Sequence, residues 1–133
     1  RMSVATTGTP LAAASIAAKA PLAFAPIAAP MRCPWGQKAF SGYLGGDTAA
    51  WRSWDATELM GHLATPFPGG ILIDQGMADK FLAEQLYPAA FEEACRSAGQ
   101  PLELRRHAGY DHGYYFIATF IEDHLRFHRR QLG

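Results

Sequence analysis

The sequence predicts an α/β fold in which a parallel sheet is flanked by helices. Short apolar runs that fit buried strands recur along the chain, and segments of helical period lie between and after them. The chain has 133 residues, of which 49% are hydrophobic. That length can bury a real core but not the core of a large α/β domain, so we expect part of such a domain.

The first predicted strand covers residues 22–27, an apolar run closed by prolines. A loop rich in proline and glycine is predicted next, with aromatic side chains beside flexible backbone over residues 33–45. Trp35 and Lys38 lie in this segment and are candidate substrate-binding residues by that position alone. Packing is the commoner role of such a tryptophan.

An acidic variant of the capping box, from Asp55 to Glu58, predicts a short helix that begins at Asp55 and runs through Met60. The next apolar run, residues 71–74, predicts a second buried strand.

The remaining elements continue the alternation. Residues 88–98 are predicted to be helical, with Pro88 in the first turn and Gly99 past the end. Residues 101–106 alternate apolar and charged side chains and predict a third strand. Residues 114–132 repeat apolar side chains at helical spacing and predict a final helix. This order implies parallel strands with right-handed crossovers.

Composition narrows the class of partner. The chain has 12 basic and 12 acidic residues, so its formal net charge is zero, and nothing indicates nucleic acid or an anionic membrane. A small molecule is the expected partner. Cys33 and Cys95 share no metal-ligand spacing, which fits thiols in a reducing compartment. No run approaches the roughly twenty apolar residues of a membrane-spanning helix.

Residues 1–21 differ from the rest, being rich in Ala, Thr and Pro with no charge between Arg1 and Lys19. A secretory signal could look like this, but Lys19 and Pro21 interrupt the apolar run. We therefore expect a soluble, intracellular chain.

An acid followed by a histidine marks the predicted site. His112 lies in a loop bounded by Gly109 and Gly113, downstream of Asp74 and Asp79 at or beyond the end of the second strand. A strand-end carboxylate followed by a loop histidine is the chain order of the last two members of the Ser, Asp, His triad of α/β-hydrolases. The Gly-x-Ser-x-Gly turn of the first member is absent from the chain.

The residue pattern leaves alternatives open. Asp74 and Asp79 compete evenly for the acid, although Asp74 could instead bond the amides of its own loop. Asp111 is the weakest candidate, because a neighbour in sequence rarely points its carboxylate at the adjacent ring. His112 could equally be a structural histidine beside Tyr110 and Tyr114.

The sequence predicts no site for the other four histidines. His124 and His128 are four residues apart but lack the glutamate of a metal-binding His-Glu-x-x-His motif, so a solvated helix face is predicted for them. His62 and His107 have no predicted partner.

Six dense motifs lie within residues 22–132: Phe-Ala-Pro-Ile at residues 24–27, Cys-Pro-Trp-Gly-Gln-Lys-Ala-Phe-Ser-Gly-Tyr-Leu-Gly at 33–45, Trp-Asp-Ala-Thr at 54–57, Ile-Leu-Ile-Asp-Gln-Gly at 71–76, Gly-Tyr-Asp-His at 109–112 and Phe-Ile-Ala-Thr-Phe-Ile at 116–121. Together they resemble S-formylglutathione hydrolase, also called esterase D.

The resemblance implies a cytoplasmic serine hydrolase of the α/β-hydrolase fold that cleaves the thioester S-formylglutathione to glutathione and formate, with carboxylesterase side activity. Matched onto this chain, the triad acid is Asp79 and the histidine is His112. The resemblance also implies no metal, no organic cofactor and a homodimer. Residues 22–133 would be the C-terminal part of the α/β-hydrolase domain.

Residues 1–21 depart from the family, which carries Gly-His-Ser-Met-Gly-Gly there. Ser3 follows Met2 and lacks the flanking small residues of a nucleophile turn, so we do not assign it as the nucleophile. The expectation is a coding sequence that is truncated or read out of frame upstream of Leu22. The alternatives are a broad carboxylesterase of the same fold and a non-catalytic remnant.

Overall fold

The computed structural model describes residues 22–132 and contains one parallel sheet. Its strands are β1 (Leu22–Phe24), β2 (Ile71–Gly76) and β3 (Leu102–His107), and β2 lies in the middle. Both neighbours of β2 run parallel to it. The predicted α/β class with a parallel sheet and flanking helices is confirmed.

Within residues 22–132, five α-helices connect and follow the strands. They are α1 (Pro34–Leu44), α2 (Thr48–Trp51), α3 (Ala56–Gly61), α4 (Pro88–Ala98) and α5 (Tyr114–Leu132). Turns of 3-10 helix at Pro30–Arg32 and Arg52–Trp54, and a π-helical turn at Leu82–Leu86, complete the connections. None of these helices is both long and apolar enough to cross a membrane.

The terminal signals of the helices act as predicted. Asp55 caps α3, where its side chain accepts hydrogen bonds from the amides of Thr57 and Glu58. Helix α4 begins at Pro88 and ends before Gly99, which has the left-handed conformation of a C-terminal cap with φ of 68°. Helix α5 has the predicted bounds.

Two predictions about the first part of the chain are wrong. Strand β1 ends at Phe24, because Ala25 turns into a left-handed conformation with φ of 42°. The loop predicted over residues 33–45 is mostly helix α1. Pro34 occupies the first turn of α1, and the Sγ atom of Cys33 accepts a hydrogen bond from the amide of Gly36, so both act as helix-start signals.

The core lies on both faces of β2, whose six residues are all buried. Ile71 and Ile73 belong to a cluster with Met60 of α3 and Phe91 and Cys95 of α4. The other face of β2 is covered by α5, where Leu72 packs with Phe127. Burial on two faces explains why this strand begins with three consecutive apolar residues, Ile71 to Ile73.

Candidate active site

The loops that follow β2 and β3 meet at the carboxyl ends of these parallel strands. The amide of Met77 donates to the carbonyl of His107, and the amide of Ala78 donates to the carbonyl of Tyr110, each at 2.9 Å. Gly76 permits this approach, since a Cβ atom there would lie 2.2 Å from the carbonyl oxygen of Asp111. Two loops distant in sequence are thus joined backbone to backbone.

Asp79 and His112 meet across this junction. Nδ1 of His112 lies 2.8 Å from Oδ2 of Asp79, and Oδ1 of Asp79 accepts a hydrogen bond of 2.9 Å from the amide of Phe81. Asp79 is 5% exposed, whereas the His112 side chain is 49% exposed. Because a carboxylate only accepts, Nδ1 is the donor in this pair. Nε2 is then the nitrogen able to take a proton.

Asp111 bonds within its own loop, where its Oδ1 accepts a hydrogen bond of 2.7 Å from the amide of Gly113. Among residues 22–132, Asp79 is the carboxylate that contacts the ring of His112.

Asp74 is fully buried and does not bond the amides of its own loop, which corrects that alternative. Its Oδ1 accepts from Nε of Arg105 at 2.7 Å and pairs with Nε2 of His107 at 2.6 Å. Its Oδ2 accepts from Nη2 of Arg105 at 2.6 Å and pairs with Nε2 of His124 at 2.5 Å. Arg105 also donates to Asp123 of α5 at 2.8 Å. We call these five side chains the Asp74 hub.

The hub corrects two further predictions. His124 is 1% exposed and stacks on Phe24, so it does not lie on a solvated helix face. His107, for which no partner was predicted, bonds Asp74 and stacks on Phe120. Sequence reasoning missed both residues as members of any cluster.

Electrostatics at the hub follow from these bonds. Burial alone would raise the pKa of Asp74, but hydrogen bonds from His124, Arg105 and His107 outweigh it and hold the pKa well below its ordinary value. The hydrogen bond to Asp74 raises the pKa of Arg105 above its usual range and outweighs the effect of burial, which would lower that pKa. The carboxylate and guanidinium therefore stay ionised across the physiological range.

An aromatic wall stands beside His112. The ring centroids of Phe81 and His112 are 5.4 Å apart, and those of Trp35 and Phe81 are 4.4 Å apart. Trp35 is nevertheless 45% exposed. Lys38 is exposed one turn further along α1 and makes no hydrogen bond or ion pair within residues 22–132. The sequence did not indicate that Phe81 lies beside His112, because the only signal was that Phe81 follows Asp79 by two residues.

The structure places no nucleophile against His112 in the part of the chain that it describes. None of the serines at positions 41, 53 and 97 hydrogen-bonds to the ring, and Ser3 lies outside the described residues. Within residues 22–132, no group of three or more His, Cys, Asp or Glu side chains is arranged to hold a metal ion. Cys33 and Cys95 are buried and free, and burial raises the pKa of the Cys95 thiol to about 12.

Comparison with known proteins identifies the family. The model of the family described as "Putative esterase" matches residues 14–127. The chain belongs to this esterase family. It is 56% identical over 110 residues to S-formylglutathione hydrolase from Arabidopsis thaliana, a stretch that covers 83% of this chain and 38% of that protein.

Solved structures agree with this assignment. An S-formylglutathione hydrolase from Agrobacterium tumefaciens superposes with a TM-score of 0.81 at 50% identity, over 86% of this chain and 41% of that one. Dipeptidyl peptidase 4 from Porphyromonas gingivalis, at 19% identity and a TM-score of 0.58 over 82% of this chain and 15% of its own, shares the fold alone. The chain thus spans about two fifths of the length of the S-formylglutathione hydrolases that it matches.

Proposed function

We propose that Asp79 and His112 are the acid and the general base of a serine-hydrolase site that cleaves S-formylglutathione to glutathione and formate. The observation that carries this proposal is the 2.8 Å contact between Nδ1 of His112 and a buried carboxylate, which leaves Nε2 on a half-exposed ring. The similarity to two S-formylglutathione hydrolases supports the substrate.

In this mechanism Asp79 holds His112 in the tautomer with a proton on Nδ1 and stabilises the imidazolium that forms during acyl transfer. Nε2 takes the proton of the serine hydroxyl as its oxygen attacks the thioester carbonyl, and then protonates the departing glutathione thiolate. Water attacks the formyl-serine in the second half of the cycle and releases formate. The serine has no candidate turn in these 133 residues, so the chain supplies two of the three groups.

Trp35 and Lys38 are proposed to contact the substrate. Trp35 and Phe81 would form the apolar side of the acyl pocket, and the exposed ammonium of Lys38 would attract a carboxylate of glutathione. We also propose that the protein is cytoplasmic and forms a homodimer. Residues 22–133 would be the C-terminal part of its α/β-hydrolase domain.

A chimera tests the proposal. Residues 22–132 would replace the matching segment of the A. tumefaciens enzyme, which supplies the remainder of an S-formylglutathione hydrolase. We expect S-formylglutathione hydrolysis that falls about 10³-fold or more in kcat with His112→Ala or Asp79→Ala. Asp111→Ala is the matched control, because this neighbouring carboxylate does not contact the ring, and its variant should retain activity.

Two outcomes would overturn the proposal: an active chimera in which His112→Ala retains the wild-type kcat, or a folded chimera without hydrolase activity. A higher kcat/KM for simple aryl esters than for S-formylglutathione would favour the broad carboxylesterase instead. The 133-residue chain alone should not be labelled by a fluorophosphonate probe, and His112-dependent labelling of Ser3 would show that it carries a nucleophile after all.

A further inference from the structure

The two elements that flank the loop of His112 are both bonded to one carboxylate. It spans residues 108–113, between the end of β3 at His107 and the start of α5 at Tyr114. His107 bonds Oδ1 of Asp74, and His124 of α5 bonds Oδ2 of the same side chain. Asp74 itself lies on β2, five residues before Asp79. One side chain therefore connects all three elements that determine where Asp79 and His112 lie.

The two connecting imidazoles have little freedom to move. His107 stacks on Phe120 with ring centroids 3.8 Å apart, and His124 stacks on Phe24 at 3.9 Å. Charge-assisted hydrogen bonds in a buried site are short and directional. A displacement of Asp74 would therefore move the end of β3 and the axis of α5 together.

The need to pair the charge of Arg105 does not by itself explain why two histidines also bond Asp74. A bidentate guanidinium already gives each oxygen of Asp74 one hydrogen bond. Each oxygen then takes a second bond from a histidine, one on either side of the His112 loop.

We propose that Asp74 is a positioning residue for the Asp79–His112 pair, acting through His107 and His124. This inference rests on the function proposed above for that pair. It predicts that loss of the Asp74 carboxylate alters His112, although the two side chains do not touch.

Ring nitrogen NMR on the ¹⁵N-labelled 133-residue chain tests the proposal without a need for catalysis. At pH 8 we expect His112 of the unchanged chain to carry its proton on Nδ1, as the bond to Asp79 requires. In Asp74→Asn we expect His112 to show the mixture of tautomers of a free imidazole. Asp55→Asn is the matched control, because Asp55 is equally buried but bonds amides at the start of α3 and at Met31. It should leave His112 unchanged.

The proposal is overturned if Asp74→Asn changes the ring signals of His107 and His124 but leaves the tautomer of His112 as it was, or if Asp55→Asn alters His112 to the same degree. If Asp74→Asn does not fold, His107→Phe removes one connection and keeps an aromatic ring against Phe120. It should shift the tautomer in the same direction, and no shift would overturn the proposal.

Asp79→Asn separates this inference from the proposed function. It removes the direct partner of His112 and should give the full change in tautomer. If His112 of the unchanged chain lacks the proton on Nδ1, or if Asp79→Asn has no effect, the proposed pair itself fails. If Asp79→Asn acts and Asp74→Asn does not, only the positioning role fails.

Discussion

Asp74 and Asp79 are five residues apart on one strand and the loop that follows it, are both buried, and both bond histidine. Their surroundings differ. Asp74 accepts four side-chain hydrogen bonds, and its partner His124 is itself buried. Asp79 accepts one backbone amide and one imidazole whose side chain is half exposed.

A contact between aspartate and histidine is therefore not enough to mark a catalytic pair. At the hub, both imidazoles use Nε2 to bond the carboxylate, and their rings are packed against aromatic side chains. At the Asp79 pair, the ring bonds through Nδ1 and its other nitrogen stays available. The number of bonds at the carboxylate and the exposure of the ring distinguish the Asp74 hub from the pair proposed to be catalytic.

The strongest test of this contrast compares alanine at the two positions. Asp74→Ala should lower the free energy of unfolding of the chain by about 3–5 kcal/mol, because it leaves a guanidinium and two imidazoles without their partner. Asp79→Ala should cost only about 1 kcal/mol, since it removes one turn bond and a partly exposed pair. Urea denaturation of both variants measures the difference.

In the chimera we expect the opposite ranking for catalysis: Asp79→Ala should lower kcat more than any folded Asp74 variant does. Equal losses of stability at the two positions would contradict the division of roles.

Much of this arrangement could be predicted from sequence. Local signals sufficed for the helices, since Asp55, Pro88 and Gly99 act at the ends where their chemistry requires them. Helix α1 was missed because Pro34 and the glycines of its segment are also loop residues, and a cysteine is an unusual cap.

Predicting the hub would have required the register in which β2 and β3 pair, and a single sequence does not give that register. Asp74 pairs with Arg105 across two strands, and alternation then places His107 on the same face. His124 lies four residues after Phe120 and eight after Phe116, on the buried side of α5. This helical spacing could have predicted that His124 is buried, but the equal spacing from His124 to His128 favoured a solvated face instead. Contacts between distant segments therefore determine that Asp74 bonds His107 and His124, and that Asp79 bonds His112.

Gly76 lies between the two aspartates and offers a smaller perturbation. A Cβ atom there would lie 2.2 Å from the carbonyl oxygen of Asp111 and 2.3 Å from that of Tyr110, so Gly76→Ala must push the two loops apart. We expect a loss of about 1–3 kcal/mol in stability from overpacking. In the chimera we expect kcat to fall about 10²-fold, because the pair is displaced while the hub keeps its bonds.

Gly61→Ala is the matched control, since a Cβ atom at Gly61 would meet nothing within 4 Å. It should leave kcat unchanged and should not lower stability, because alanine is favoured over glycine at this helical position. If Gly76→Ala kept full activity, the close approach of the loops would not be needed for the pair.

Acid unfolding should distinguish the hub by its pH dependence. Because the pKa of Asp74 is lowered in the folded chain, its stabilising contribution is complete above the ordinary carboxyl value of 3.8 and is lost as the pH falls below that value. Between pH 4 and pH 2.5 this single group should add up to about 1.4 kcal/mol per pH unit to the slope of the unfolding free energy.

Asp74→Asn should remove that part of the slope, and the comparison of slopes is independent of the lower stability of the variant. Glu92→Gln is the control: a hydrogen bond from Arg106 also lowers the pKa of Glu92, but both side chains are well exposed and water screens their interaction. Its slope should differ little from that of the unchanged chain. Parallel curves for Asp74→Asn and the unchanged chain would mean that proton binding at Asp74 is not linked to unfolding, and that the hub is held by packing of its aromatic rings instead of by the charge on its carboxylate.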